Sequence, residues 1–437
     1  MLKRALLAGL AVLSAGERVV AAEPHHALLS DLAGQVSPDQ LHSTIQTLVG
    51  FGTRHTLSVT PSTTHGLGAA ERWTQGRFES LGKACGGCLE VITPSEMFTG
   101  KRIPTPTAVG AVVAIQRGTT DPDRVVLITG HIDSRVTDVM NATSDAPGAN
   151  DDGSGVAAVM EAARLLSRHK FPATIVYGVL AGEEQGSYGA KALADYARAH
   201  GWRIEAELNN DIIGNSHGQG GATITDRVRV FSEGTKAGET PEAAAVRHHT
   251  GGELDSPSRE VARFIAELAP QYVSGFRAQM VYRTDRYGRG GDQDRFVDAG
   301  YPAVRLTEAT ENYTRQHQDL RTEGGIHYGD VIEGVDFPYL AQVTRVNIVA
   351  LAALASAPAP PTDVKIAGAV TPDTVLTWTA SPGAASYRVW WRDTTAPTWT
   401  LSRDAGAATT LKLENICLLY TSPSPRDRTR SRMPSSA

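Results

Sequence analysis

The chain has 437 residues, and at roughly 150 residues per domain this length predicts two or three domains. Hydrophobic residues make up 41% and charged residues 20%, a composition that fills a sizeable core and excludes wholesale disorder. The net charge of −5 gives no reason to expect nucleic-acid binding, and three cysteines exclude a disulfide-dense scaffold. No uninterrupted apolar run reaches the roughly 20 residues of a membrane-spanning helix. We therefore expect a soluble, multidomain protein without a membrane span.

The N-terminus has the layout of a secretory signal peptide. Lys3 and Arg4 precede an apolar run over residues 5–15, and small residues follow up to Ala22. This pattern predicts a signal peptide over residues 1–22, with cleavage after Ala22. An amphipathic first helix is the alternative, but the run is short and has no polar face. We therefore expect the protein to be secreted or periplasmic.

Cys85 and Cys88 form a Cys-Gly-Gly-Cys motif between a predicted helix and a predicted strand. In an oxidising compartment the pair can close a small local disulfide. Half of a zinc ribbon is an alternative, but no second Cys-x-x-Cys follows. A thioredoxin-like redox pair would need a strand-to-helix junction. The motif is therefore interpreted as a structural disulfide.

The middle of the chain alternates strands with helices. Residues 124–133 form an apolar run that ends in polar residues, as a buried parallel strand does, and residues 154–168 carry apolar side chains at helical spacing. The alternation predicts an α/β domain over residues 23–355, with a mostly parallel central sheet and helices on both faces in three layers. Further elements are predicted at 41–48, 68–81, 89–92, 108–116, 174–181, 188–199, 204–213, 261–268, 278–283, 295–299, 303–306 and 340–354.

A Pro-rich linker over residues 356–362 precedes an all-β segment, residues 363–416. Its predicted strands each have one apolar face, marked by Trp378 and by alternation from Tyr387. The segment resembles the first strands of a fibronectin type III module, which implies a truncated β-sandwich. Because the linker separates two cores, a chain ending near Ala357 is expected to remain active. The strands are predicted at 363–366, 375–379, 387–392, 399–402 and 409–413.

The last 21 residues, 417–437, have an Arg-rich pattern that could be read as a nucleic-acid-binding tail. The stretch instead resembles a translated sequencing adapter at the end of an assembled reading frame. We interpret it as a non-native tail.

Acidic and imidazole residues follow several predicted strands in turn. Since the carboxyl ends of strands in open α/β sheets form one cleft, these side chains are expected to converge there. So many carboxylates would repel each other unless a cation were present. Each motif alone is weak, but together and in order they are specific. The residues are His131 and Asp133, Asp151 in Asn-Asp-Asp-Gly, Glu183 and Glu184, Asp211, and His317.

Over residues 41–354, these motifs resemble the secreted bacterial co-catalytic zinc aminopeptidases. That leucyl-type family is related to glutamate carboxypeptidases and glutaminyl cyclases. The resemblance implies two Zn²⁺ ions, with Asp151 bridging both. It assigns His131 and Asp211 to one ion, and Glu184 and His317 to the other.

The same resemblance makes Glu183 the general base and Asp133 the carboxylate that holds His131 in its ligating tautomer. It also implies a cis peptide bond between Asp151 and Asp152. Asp292 falls in a further family segment, but Gln293 stands where a histidine is expected, so Asp292 is not assigned as a ligand.

The implied reaction is hydrolysis of the N-terminal peptide bond by a water that the two ions activate. The expected partners are the N-termini of peptides or proteins, and the expected state is a monomer. The alternatives on this scaffold are a single-zinc glutaminyl cyclase and a carboxypeptidase. A non-catalytic binding module would show gaps among the ligands or a replaced Glu183, and neither occurs.

Overall fold

The computed structural model describes residues 26–58, 61–250, 252–368, 370–393 and 395–416. The predicted signal peptide and the predicted non-native tail lie outside these residues. The helices are α1 (Ala27–Gly34), α2 (Pro38–Val49), α3 (Leu67–Ala84), α4 (Gly153–Leu166), α5 (Glu183–Gly186), α6 (Tyr188–Ala199), α7 (Pro241–Thr250), α8 (Pro257–Tyr272), α9 (Gln293–Asp298) and α10 (Phe337–Ser356).

The strands fall into a large central sheet and several small ones. They are β1 (Glu90–Ile92), β2 (Ser95–Gly100), β3 (Ile103–Gln116), β4 (Asp121–His131), β5 (Ala173–Leu180), β6 (Arg203–Asn210), β7 (Arg227–Phe231), β8 (Arg277–Val281), β9 (Ala303–Glu308), β10 (Arg321–Glu323), β11 (Ile326–Tyr328), β12 (Thr362–Ala367), β13 (Thr374–Thr379), β14 (Tyr387–Trp391), β15 (Leu401–Gly406) and β16 (Thr410–Leu413).

The central sheet has the strand order β1-β3-β5-β4-β6-β9-β7-β8, with β2 paired to β3. Its middle strands β5, β4, β6 and β9 are parallel, whereas β3 and β7 pair antiparallel to their inner neighbours. The predicted α/β class is confirmed, and the sheet is mixed, with the parallel part at its centre. All of the carboxyl ends of these four strands therefore lie at one edge.

Helices cover both faces of the sheet, because successive side chains of each strand point to opposite sides. In β4, Val126 and Ile128 pack into the hydrophobic cluster that includes α2, α4, α8 and α10. Val125 and Leu127 pack into the second cluster, which includes α6 and α9. The predicted three layers follow from this alternation.

Helix α10 is long and apolar enough to cross a membrane by length and composition alone. However, 78% of its most apolar stretch is buried inside the protein, where it packs against α1, α4 and α8. We therefore interpret α10 as a core helix. After α3, Cys85 and Cys88 form the predicted disulfide.

The C-terminal segment contains five strands, the number predicted from the sequence. They form a three-stranded sheet, β12-β13-β16, and a two-stranded sheet, β14-β15. Leu376, Trp378, Val389 and Leu413 make a small core of their own. The resemblance to fibronectin type III modules remains a prediction.

This C-terminal module contacts the main domain more closely than a separating linker predicts. Arg392 Nη2 donates to Asp255 Oδ1 at 2.6 Å, and both side chains are buried. Trp399 Nε1 donates to Glu260 Oε2 on α8 at 3.0 Å. Arg263, also on α8, donates to the carbonyl of Pro397. The hydrophobic core of the module is separate from the two hydrophobic clusters of the main domain, but a buried polar interface joins the module to the main domain.

Candidate metal centre and active site

Each predicted site residue lies at the edge where the parallel strands end. His131 is the last residue of β4, Glu183 begins α5 just after β5, and Asp211 directly follows β6. Asp151 precedes α4, and His317 lies on the segment after β9. The structure brings all of them together, because parallel strands deliver their following residues to a single edge.

The first cluster consists of His131, Asp151 and Asp211. His131 Nε2 lies 3.2 Å from Asp151 Oδ1 and 3.8 Å from Asp211 Oδ1, and all three side chains are buried. Burial lowers the pKa of His131, but the carboxylates of Asp133, Asp151 and Asp211 outweigh burial and raise it well above its usual value. A cation would satisfy the same carboxylates.

The second cluster consists of Asp151, Glu184 and His317. His317 Nε2 lies 2.8 Å from Asp151 Oδ2 and 2.9 Å from Glu184 Oε1. Asp151 therefore turns one carboxylate oxygen to each cluster. Burial disfavours its charge, but His317 and His131 outweigh burial and hold the pKa of Asp151 well below its usual range.

The donor atoms fit zinc. Imidazole nitrogen and carboxylate oxygen are ordinary zinc ligands, and three protein groups per ion leave room for a substrate. His131 Nε2 and Glu184 Oε1 are buried, and among the described residues they have ion-pair neighbours at 3.2 and 2.9 Å but no well-aligned hydrogen bond. Buried polar atoms almost always have hydrogen-bond partners, so these two atoms are suited to hold a cation.

Asp133 supports both His131 and the segment that carries Glu183 and Glu184. His131 Nδ1 lies 3.0 Å from the backbone oxygen of Asp133 and 3.5 Å from its Oδ1, which leaves Nε2 free to face the first cluster. The Asp133 carboxylate also accepts the backbone N–H groups of Glu183 and Glu184 at 3.2 and 3.1 Å. One carboxylate therefore positions the residues after β4 and those after β5.

The peptide bond between Asp151 and Asp152 is cis, as predicted. Asp152 turns away from the clusters, and its carboxylate accepts backbone N–H groups from His131, Gly155 and Ile212. It thereby joins the ends of β4 and β6 to the start of α4.

Glu183 lies beside both clusters and lines a cleft of 620 Å³. Burial raises the pKa of Glu183 to about 8, and nearby Asp211, Glu184 and Asp133 add to the shift against the effect of His131. Asp292 was not assigned as a ligand from the sequence. Among the described residues it belongs to neither of the two clusters. It is fully buried, and burial together with Glu183 raises its pKa well above its usual range.

Sequence reasoning missed three residues that hold the site from behind. Asp330 accepts the backbone N–H groups of Asn150 and Asp151. Arg305 Nη2 lies 2.9 Å from Asp211 Oδ1, and Arg135 Nε donates to Glu184 Oε2 at 2.7 Å. Of the three, only Arg135 could have been suspected from the sequence, because it lies two residues after Asp133. Asp330 and Arg305 lie far in the chain from the residues that they contact.

Comparison with known proteins identifies relatives that are zinc metalloproteases. Residues 111–328 match the family model described as Peptidase family M28. A probable zinc metalloprotease of the fungus Leptosphaeria maculans is 46% identical over 85% of this chain and 87% of its own length. A probable zinc metalloprotease of Pyricularia oryzae is 44% identical over 87% of this chain and 78% of its own length.

Among solved structures, the LapA aminopeptidase of Legionella pneumophila has a TM-score of 0.54 at 17% identity, covering 75% of this chain and 74% of its own. At such identity the likeness concerns the fold alone. The sequence resemblance pointed to bacterial enzymes, whereas the relatives at 44–46% identity are fungal. By its sequence similarity to these relatives, the chain belongs to the zinc metalloproteases of peptidase family M28.

Proposed function

We propose that this metallopeptidase is an aminopeptidase that uses two zinc ions and Glu183 as general base. The observation that carries the proposal is the position of Asp151, whose two oxygens face two separate three-residue clusters beside Glu183. In this assignment His131, Asp151 and Asp211 hold one ion, and Asp151, Glu184 and His317 hold the other.

The adjacent glutamates divide the work. Glu184 turns into the second cluster, while Glu183 lines the substrate cleft. Bound zinc ions would polarise the scissile carbonyl and acidify water. The Glu183 carboxylate takes a proton from the attacking water and delivers it to the leaving amine. Asp133 fixes the backbone of both glutamates during these transfers.

Selectivity for an N-terminus requires a place for a positively charged α-amine. The cleft wall carries Glu233, Asp294 and Asp298 in addition to the site carboxylates. Ionised carboxylates in the wall of a cleft attract a bound ammonium group. The LapA structure, which this chain resembles in fold, is described as an aminopeptidase, and this supports the same assignment.

A carboxypeptidase is the second candidate, because the same cleft also carries arginines. Arg102, Arg135, Arg289 and Arg295 line it, and a guanidinium group pairs well with a C-terminal carboxylate. We favour the aminopeptidase because the LapA structure, which this chain resembles in fold, is described as an aminopeptidase.

The test combines a metal count with four substrates. We expect two zinc ions per chain, cleavage of aminoacyl-p-nitroanilides, and no cleavage when the α-amine is acetylated. Cleavage of N-blocked peptides from a free C-terminus would identify a carboxypeptidase. A persistent single ion, with release of ammonia from an N-terminal glutamine and no peptide cleavage, would identify a cyclase.

We also propose that the enzyme acts outside the cytoplasm as a monomer. The N-terminal pattern around Lys3, Arg4 and Ala22 supports export. Mass spectrometry of the secreted chain should find an N-terminus at residue 23. An intracellular product that retains residue 1 would contradict the proposal.

A further inference from the structure

The two histidines of the proposed dinuclear site have opposite charges behind them. His131 Nδ1 faces Asp133, with 3.5 Å to the carboxylate and 3.0 Å to the backbone oxygen. His317 Nδ1 faces Arg135 Nη2 at 2.6 Å. A carboxylate behind a ligating histidine raises the basicity of the ligand, and a guanidinium group has the reverse effect.

The contact with Arg135 also restricts the tautomer of His317. A guanidinium group only donates hydrogen bonds, so a hydrogen bond from Arg135 requires the tautomer in which His317 Nδ1 accepts and Nε2 carries the proton. That proton faces Asp151 and Glu184 at 2.8 and 2.9 Å. A cation needs the free electron pair of Nε2. The proton would then be on Nδ1, where two hydrogen-bond donors, Nδ1–H and the guanidinium group of Arg135, would face each other. Binding of a cation and the Arg135–His317 hydrogen bond therefore exclude each other.

Arg135 acts on a second member of the same cluster. Its Nε donates to Glu184 Oε2, which leaves only Oε1 directed toward the cluster. The arginine at the first cluster, Arg305, has two carboxylate partners. It contacts Asp211, and its Nη1 lies 3.0 Å from Asp285 Oδ2. The positive charge of Arg305 is thus balanced by a second buried carboxylate, whereas that of Arg135 is shared between Glu184 and a histidine.

We infer that Arg135 lowers the zinc affinity of the position formed by Asp151, Glu184 and His317, so that this position exchanges its ion more readily than the other. This inference rests on the proposed two-zinc function. Arg135 is a positioning residue that supplies positive charge to this cluster when no cation is bound there. His131 is buried to 1% exposure and His317 to 17%, so the weaker position is also the one nearer solvent.

The experiment is calorimetric titration of chelator-treated protein with Zn²⁺, combined with metal analysis after dialysis against buffered zinc. The wild type should bind two ions with unequal affinity and retain the tighter one. His317→Ala should remove the weaker event and leave the tighter one. If His317→Ala removes the tighter event, the assignment of the weaker position is overturned.

Arg135→Gln keeps an amide donor for Glu184 but removes the charge. It should strengthen the weaker event by about tenfold or more, the scale of effect typical for groups behind metal ligands. Arg135→Lys keeps the charge and should stay within about threefold of the wild type. Arg102→Gln is the matched control and should leave both binding events unchanged, because Arg102 lines the same cleft but, among the described residues, donates only to the backbone oxygen of Glu184.

An unchanged or weakened second event in Arg135→Gln, in protein with wild-type thermal unfolding, would overturn the inference. Equal effects of Gln and Lys would also overturn it, because geometry rather than charge would then be responsible. Arg135→Met replaces Gln if the Gln variant unfolds early. If every variant and the wild type bind only one ion, the two-zinc proposal itself fails, which is a distinguishable result.

Discussion

Asp330 Oδ2 accepts the backbone N–H of Asp151 at 2.7 Å, although 179 residues separate the two in the chain. The same carboxylate accepts the N–H of Asn150 at 3.0 Å. Asp151 is the one residue shared by both clusters, so its backbone position decides whether both can form. A loop near the end of the main domain thereby holds the centre of the site.

We expect Asp330→Ala to weaken zinc binding by about 10–100-fold, because the backbone of Asp151 loses its partner. Metal analysis at buffered free zinc measures the change. Asp330→Asn keeps an acceptor oxygen and should retain more metal than the alanine variant. Equal retention of zinc by Asp330→Ala and the wild type would show that Asp151 is held by other contacts.

Glu183→Gln should lower kcat by about 10²–10⁴-fold while the zinc content stays at the wild-type level, because Gln cannot accept the proton. Glu184→Gln should lose metal first, because its Oε1 faces the second cluster. Parallel assays of activity and metal content separate the two outcomes. Identical behaviour of the variants would contradict the proposed division between base and ligand.

The rate should rise with pH as Glu183 loses its proton. Without metal, burial raises the pKa of Glu183 to about 8, and bound cations favour the carboxylate and lower it. The acidic limb of kcat/KM should therefore have a midpoint below pH 8. A rate that falls with rising pH over this limb would mean that the essential group acts in its protonated form.

Removal of the C-terminal module should destabilise the main domain, contrary to the expectation from the linker alone. A chain ending at Ala357 exposes Asp255, Glu260 and Arg263, which are buried against the module. Arg392→Ala should lower the free energy of unfolding by about 1–3 kcal/mol, since a buried acceptor loses a donor.

Thermal unfolding of the truncated chain and of the Arg392 variant measures these effects. Lys412→Gln is the control, because Lys412 pairs with Asp373 at the surface, where an ion pair contributes less than about 1 kcal/mol. A truncated chain with the wild-type melting temperature and activity would restore the interpretation of two independent domains.

Chelation should lower the melting temperature, and added zinc should restore it. The ligands Asp151, Glu184 and Asp211 are brought together only in the folded chain, so a cation bound there stabilises the folded state. A ligand at about 1,000 times its Kd stabilises a fold by about 4 kcal/mol. His131→Ala should respond less to the chelator. A melting temperature that the chelator leaves unchanged would argue against metal binding by the folded state.

The sequence by itself determined the α/β architecture and the residues that meet in the candidate site. Continuous apolar runs mark β4 and β5, and apolar residues at helical spacing mark α4, because burial of a strand or helix depends on its own residues. His131, Glu183 and Asp211 could be found because they follow strands, and the ends of parallel strands meet.

Only the tertiary structure decided which residues support the site and how the module is attached. Arg135 contacts Glu184 and His317, Asp330 contacts Asp151, and Arg392 contacts Asp255, over separations of 49 to 182 residues. Such pairings depend on how loops and surfaces meet in space, and no local period or propensity records them. The antiparallel placement of β3 and β7 was undetermined for the same reason, because strand order follows from packing between distant segments.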